Sequence, residues 1–316
     1  MRIRTLIPLL ILVLCSTIFT NTALAQNFCH GKPCIQVGTF NIEWFGTTDL
    51  SKHQHRSKPT VKNIASFIAD TLDLEIVVLE EINSESEEYT WLQDALATRG
   101  YQLRRIGDTG GEQGVVIAFD ADQVSLIGEV KEMNVRSDVD LGGGCKSRNL
   151  RVPLFGKFKS GDFDFVLIGV HLKSQLGVNG AANPAKCADD IRRAQTQDIL
   201  AALPNILSDL NDQDVIITGD FNAPLSDTSL GPLFGAGGFA SLTTSARRAQ
   251  GSGTISYLKA PHQEIIDHVL IRLADTTEWS KRSTVVFRPK PALLNSYLKD
   301  ISDHAPVWTS FITGGN

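Results

Sequence analysis

Short runs of β-branched and aromatic residues alternate with helical patterns along most of this 316-residue chain. Residues 35–40, 76–79, 114–119, 150–158, 163–172 and 215–218 read as strands, several of them apolar throughout, as strands covered on both faces are. Further strands are expected over 265–271, 284–287 and 307–311. Val61, Ile64, Ala65, Ile68 and Leu72 fall on one face of a helix. A second helix covers 89–97, with Gly100 as its stop. A third runs from 189 to about 203, with Pro204 ending or kinking it. Residues 222–253 are rich in Gly, Pro and Ser and read as loop. Short strands at irregular spacing with few helices fit two packed sheets flanked by helices better than one doubly wound parallel sheet.

The first residues follow another pattern. Arg2 and Arg4 form a basic start, 5–20 is apolar, and the small-residue pattern up to Ala25 marks a cleavage site. Residues 1–25 are therefore expected to be an export signal, and 26–316 one domain destined for the periplasm or the exterior. The apolar run is shorter than the ~20 residues a spanning helix needs, so no stable membrane anchor is expected. Nothing in the sequence implies a protein partner, and a monomer is the default. A hydrophobic fraction of 42% and a charged fraction of 21% exclude a disordered chain and a polytopic membrane protein.

Without residues 1–25 the chain carries 28 basic against 35 acidic residues, a net charge of −7. A polyanionic substrate would have to be met by a local basic patch and bound metal, not by the field of the whole molecule. Cys29, Cys34, Cys145 and Cys187 remain, an even number that favours disulfides in an exported protein and allows three connectivities. Cys29–Cys34 and Cys145–Cys187 are the preferred pairs, the first closing a small loop and the second tying Gly142–Gly144 to the insertion after His171.

The chemistry lies where apolar strands end. Asn41 and Glu43 follow the first strand, Glu80 and Glu81 another, and His171 with Lys173 a third. Asp220 and Asn222 follow a fourth, and Asp303-His304 precedes the last. Residues two apart in an extended segment share a face, so Asn41 with Glu43, and Asp220 with Asn222, can each offer a polar pair to one pocket. Each fragment alone has an ordinary explanation: an Asx turn for Asp-Phe-Asn, a solvated strand end for the two glutamates. Together they are a hard-oxygen donor set with no cysteine nearby, which selects Mg²⁺, Mn²⁺ or Ca²⁺. A metal beside two histidines suits displacement at phosphorus.

Thr39-Phe-Asn-Ile-Glu43, Leu79-Glu-Glu-Ile82, Gly169-Val-His-Leu-Lys173, Gly219-Asp-Phe-Asn222 and Ser302-Asp-His-Ala-Pro306 stand in the order of the endonuclease/exonuclease/phosphatase superfamily, and the chain resembles it from Ile35 to Phe311. The resemblance implies an α/β fold, a four-layered α/β/β/α sandwich of two packed mixed sheets, over 26–316 as the catalytic domain. It implies Glu81 as principal metal ligand with Asn41, Glu43 and Asp303 near it. Asp220 would orient or deprotonate the attacking water, Asn222 would hold Asp220 and the phosphate, and His304 would contact the phosphoryl oxygen or transfer a proton. Asp267 would orient His304, His171 would bind or protonate the phosphate, and Arg151 and Lys173 would contact substrate. Glu80 departs from the family, where Gln is common, and the tyrosine used by nuclease members is not identifiable from sequence.

An exported nuclease acting on DNA, and potentially RNA, is the first expectation. Lys146, Arg148 and Arg151 on one side and Lys173, Arg192 and Arg193 on the other could grip phosphates. The alternatives are a sphingomyelinase-like phospholipid phosphodiesterase, an inositol-phosphate phosphatase, and a catalytically dead binding protein. The phospholipid role wants an exposed apolar docking element, for which 231–239 is the candidate.

Overall fold

Val- and Ile-rich strands and the helices beside them build the fold of the computed structural model, which describes residues 28–107, 110–251 and 253–314. The expected export signal, 1–25, lies outside the described residues. The strands are β1 (Cys34–Phe45), β2 (Ile76–Ile82), β3 (Tyr101–Arg104), β4 (Gly114–Asp120), β5 (Ser125–Glu132), β6 (Val139–Asp140), β7 (Lys146–Ser147), β8 (Leu154–Ser160), β9 (Phe163–His171), β10 (Val215–Asp220), β11 (Phe239–Ser241), β12 (Asp267–Arg272), β13 (Val285–Val286) and β14 (Val307–Ile312). The helices are α1 (Lys58–Ser66), α2 (Glu87–Ala97), α3 (Pro184–Leu210), α4 (Gly231–Phe234), α5 (Thr243–Gln250) and α6 (Leu294–Asp300). Two mixed six-stranded sheets result, in the orders β13-β14-β1-β2-β4-β3 and β11-β12-β10-β9-β8-β5.

The period of two along each strand decides the layering. On β9, Phe165 and Leu167 enter the core shared with the first sheet, whereas Val166, Ile168 and Val170 pack with Ile199, Leu203 and Leu207 of α3. β10 and β12 divide the same way, Ile216, Val269 and Ile271 inward and Val215, Ile217 and Leu270 toward the helix side. On the far side Val61, Ile64 and Ala65 of α1 and Leu92 and Leu96 of α2 cover the first sheet. The molecule is thus the four-layered sandwich expected, helices outside and two sheets between.

Several local expectations are corrected. The helix placed at 189–203 begins at Pro184, behind the side chain of Asn183, which accepts the backbone N–H of Lys186, and it runs through Pro204 to Leu210. A mid-helix proline costs ~3 kcal/mol. Burying Ile199, Leu203, Ile206 and Leu207 contributes ~1.5–3 kcal/mol apiece and outweighs it. The strand read from residue 150 starts at Leu154, because Pro153 has no N–H to pair. β5 went unforeseen because it is an exposed edge strand with a single buried residue, Val130, so no apolar run marks it. The presumed loop 222–253 holds α4, β11 and α5.

Cys29–Cys34 and Cys145–Cys187 are both bonded, the second fastening the β6–β7 hairpin to the first turn of α3. Leu233 and Phe239 are buried in the α3 core, so 231–239 packs inward and offers no apolar docking element. Among the described residues no helix is long and apolar enough to cross a membrane.

At the sheet end remote from the motifs, Glu75 accepts the backbone N–H of Gln36 at 2.6 Å, and burial pushes its carboxyl up to about 7. A folded-state value above the ordinary 4.5 means the folded state binds the proton more tightly. This group's contribution is therefore complete below pH 4.5 and is lost as pH rises through 7, a loss of about 3 kcal/mol at most. Glu75→Gln keeps an acceptor for Gln36 and removes the titration. The variant should melt higher than wild type at pH 8 and equal to it at pH 4.5, as thermal unfolding at the two pH values will show.

Candidate active site

Strand register assembles the polar cluster. Asp220 is paired with His171 on one side and with Asp267 on the other, so three chemistry-bearing side chains stand abreast on β9, β10 and β12. The first sheet brings its own set to the same seam: Asn41 pairs with Glu80 in the β1–β2 ladder, and Ser302-Asp-His304 leads into β14, whose Val307 pairs with Thr39. Ser302 ties the two together, its hydroxyl donating to the Asn41 carbonyl at 2.6 Å and accepting the His304 N–H at 2.9 Å.

The paired residues meet through turns, not through the strand alternation expected from sequence. The Asp220 carboxylate accepts the Asn222 N–H at 2.7 Å and its side-chain amide at 3.2 Å, an Asx turn. The Asn41 side-chain oxygen Oδ1 likewise accepts the Glu43 N–H at 2.9 Å. The β1–β2 and β2–β4 ladders slip register after Asn41 and Leu79, and Glu43, Glu81 and Asn222 have φ of 36°, 61° and 51°. Left-handed backbone is costly for a glutamate, and strain of this kind gathers where side chains must be re-aimed. Arg56, unnoticed in the sequence, holds the kinked stretch by donating to the carbonyls of Ile42, Glu43 and Ile301, each at 3.0 Å. Gly219 has φ of 151°, and a Cβ there would sit 1.9 Å from the Val170 carbonyl oxygen, so only glycine fits before Asp220.

The Asn41 amide nitrogen donates to Glu81 at 3.2 Å and to Asp220 at 3.1 Å, bridging the two sheets. Glu81 also accepts the Trp44 N–H at 2.9 Å. His304 Nδ1 lies 2.9 Å from Asp267 Oδ2, and His304 Nε2 lies 3.9 Å from Asp220 Oδ2. Burial opposes charge on His304, but Asp267 and Asp220 overcome it and hold the imidazole's pKa well above its ordinary value. Asp220 is pushed up, by burial first and then by the charge of Asp267. His171 Nε2 stands 3.7 Å from Asp220 and 3.9 Å from Glu81. Burial and the charges of Arg151 and His304 keep it well below its usual value, hence neutral at physiological pH. Two histidines in one seam are thus driven to opposite protonation states.

Glu80 faces the core, accepting from Thr39 Oγ1 at 2.5 Å, and burial pushes its pKa well above the ordinary value, toward the neutral form. A neutral carboxyl has the donor and acceptor of an amide, which accounts for an acid standing where the family commonly has Gln. Tyr257, also missed, packs edge-on to His304 with ring centroids 5.2 Å apart. Lys259 bonds Glu43 and, at 3.0 Å, Asp303. No motif marks either residue; both lie in the connection before β12.

Of the basic residues expected to grip phosphates, Arg151 donates to the Leu172 carbonyl at 2.6 Å, and its charge reaches Glu81 and Asp220. The Lys173 ammonium is taken by the carbonyls of Ser174 and Leu176, and burial lowers it to about 8. Arg192 is corrected: it is 1% exposed and spends its guanidinium on Asp189, Asp227 and the Lys173 carbonyl, so it grips no phosphate. Lys146, Arg148 and Arg193 are exposed.

Residues 38–304 match the Endonuclease/Exonuclease/phosphatase family. The chain belongs to this family. Its members are metal-dependent phosphoric ester hydrolases. No curated protein matches the sequence. Among solved structures, the human Nocturnin catalytic domain with bound sulfate superposes with a TM-score of 0.60 at 17% identity, over 89% of this chain and 94% of that one. Truncated Caenorhabditis elegans TDP2 gives 0.61 at 14%, covering 88% and 98%. D. rerio TDP2 complexed with single strand DNA product gives 0.54 at 14%, covering 88% and 98%. At such identities these likenesses establish the fold.

The seam suits a divalent cation. Its donors are hard oxygens, acids outnumber bases, and one carboxylate oxygen of Glu43 is buried with no hydrogen-bond partner. Asp220, Asp267 and His304 also lie close enough to share an ion. The 2.9 Å Asp267–His304 bond sets a carboxylate against the imidazole whose pKa is raised. Asp267→Asn should therefore lower the His304 pKa, because the charge that holds the proton is gone. An NMR titration of the ring would show the drop, alongside a ~10²–10⁴-fold loss of hydrolysis; an unmoved ring pKa would refute the pairing.

Proposed function

We propose that this protein is an exported, divalent-metal-dependent phosphodiesterase that hydrolyses nucleic acid, DNA foremost, by direct attack of water on phosphorus. The observation that carries the reading is the Asp220–His304 pair, 3.9 Å apart in a buried seam: a proton acceptor opposite a proton-bearing imidazole. Glu81, with Glu43 and Asp303 near it, would hold the ion, and Asn41, whose amide donates to Glu81, would orient that carboxylate. A bound Mg²⁺, Mn²⁺ or Ca²⁺ supplies neutralisation of phosphate charge and stabilisation of the leaving oxygen.

The chain's own groups carry the remaining steps. Asp220, kept in place by Asn41 and Asn222, takes a proton from the attacking water. His304, oriented by Asp267, presents its N–H to a phosphoryl oxygen and can deliver a proton to the leaving alkoxide. Neutral His171 and the Arg151 guanidinium face the same space and stabilise the growing negative charge. Nucleic acid is favoured over phospholipid because 231–239 packs inward and because D. rerio TDP2 was captured with a single strand DNA product. Exposed Lys146 and Arg148 on the disulfide-fastened hairpin offer contacts to a phosphate backbone.

Supercoiled plasmid should be nicked and then linearised with Mg²⁺ or Mn²⁺, and left intact with chelator. Sphingomyelin and inositol phosphates should survive the same incubation. His304→Ala should slow plasmid cleavage ~10²–10⁴-fold. Intact plasmid under every metal, with turnover of sphingomyelin instead, overturns the substrate assignment; inertness toward all substrates would mark a binding protein. Secreted protein should begin at Gln26 on N-terminal sequencing.

A further inference from the structure

The chain carries a net charge of −5, yet that charge is unevenly placed. Residues 228–263 and 279–299 contain no aspartate or glutamate. The fold packs these two segments together. The Gln250 side chain, at the end of α5, donates to the Val286 carbonyl at 2.9 Å and accepts the Val286 N–H at 3.0 Å, stapling the helix to β13. Arg288 Nη2 donates to the Gln250 carbonyl at 2.9 Å and to Thr254 Oγ1 at 2.7 Å. Arg247 and Arg248 occupy the last turn of α5, and with Arg288 and Lys290 they are exposed. None of the four has an ion-pair partner among the described residues, whereas Arg136, Lys157 and Arg192 are each held by aspartate. The seam is close by. Two residues beyond Thr254, the Ser256 carbonyl accepts the Ala305 N–H at 2.7 Å, and Tyr257 bridges to His304.

We propose that Arg247, Arg248, Arg288 and Lys290 form a phosphate-backbone surface that holds the strand of a nucleic acid leading away from the scissile phosphate in the seam. Exposed cations attract a polyanion most where no neighbouring acid cancels them, and neither segment carries one. The surface stands at the β13 edge of the first sheet, apart from Lys146 and Arg148, whose hairpin is fastened to α3. Cations also suit a helix C-terminus, which gives Arg247 and Arg248 a structural reason to stand there. Lys290 lies off the helix and lacks that reason. A membrane surface is the other polyanion, but it asks for apolar side chains to insert. The large exposed apolar residues among the described ones, Leu50, Ile106, Ile127, Leu141, Leu176 and Leu273, all lie outside the two segments.

The inference rests on the nucleic-acid reading above, and the choice of substrates separates the two. Cleavage of a single-stranded oligonucleotide long enough to leave the seam is followed with Mg²⁺ over a range of salt. Bis(p-nitrophenyl) phosphate, which occupies the seam alone, is followed beside it. Arg247→Ala combined with Arg248→Ala should raise KM for the oligonucleotide ~10-fold and lower the slope of log KM against log salt by about 1.4, since each single-strand phosphate contact contributes about 0.7. The loss should be confined to KM for the polymer, with kcat and the small diester unaffected. Arg247→Lys combined with Arg248→Lys, which keeps the charges, should behave as wild type. Lys290→Ala should lower the slope by about 0.7. Lys281→Ala, exposed but beside Ser280, which bonds Ser310 toward the far end of β14, should leave it unchanged. An unmoved slope in the double alanine variant, or an equal loss on the small diester, overturns the proposal. So does binding to anionic vesicles that this variant loses while its KM for the oligonucleotide holds. A wild type that leaves nucleic acid uncut removes the nucleic-acid reading, and the surface with it.

Discussion

Asp220 and Asp267 are neighbours in a strand ladder, buried to within 1% of full enclosure, and two carboxylates so placed can be ionised together only with positive charge between them. His304 supplies that charge. Its Nδ1 bonds Asp267 and its Nε2 faces Asp220, and the charges of the two acids overcome burial to hold the imidazole's pKa well above its usual value. The remaining polar architecture follows from this constraint. Asn41 must donate, not accept, toward Asp220 and Glu81; His171, facing a cluster that already contains a cation and Arg151, has to stay neutral. Glu80, a residue deeper, is driven by burial toward its neutral form.

Such an arrangement needs a scaffold that does not relax, and two sheets packed face to face provide one. Three of the site's residues are set by ladder register, which cannot slip without turning a whole strand inside out. The others depend on local distortion: left-handed turns at Glu43, Glu81 and Asn222, and a glycine at 219 that nothing larger can replace. Arg56 anchors one of these distortions from beneath, using carbonyls that lost their ladder partners.

The sandwich and the central cluster were legible in sequence, since buried strands are apolar runs and the motif residues sit at their ends. Legibility failed where the signal was long-range or low in contrast. β5 is polar because it is an exposed edge, and α5 buries only Thr243 and Ala246. Pro204 misled because local propensity ignores the four aliphatic side chains that hold its helix against the sheet. Arg192 resembled a phosphate ligand by proximity to His171 along the chain, yet its partners Asp189 and Asp227 are supplied by one helical turn and a distant loop. Tyr257 and Lys259 carry no motif; only the folding of their segment against His304 and Asp303 reveals them.

The pairing of β1 with β14 has a consequence in time. Ser302 closes onto Asn41 across 261 positions of sequence, so residues from both ends of the fold must be present before either half of the seam has its partner. Contacts of such separation form late, after local helices and hairpins. A chain emerging from its amino end displays Asn41, Glu43 and Glu81 long before Asp303 and His304 exist to complete them. The nascent polypeptide therefore lacks a complete seam until its final strand, β14, has been made and paired with β1.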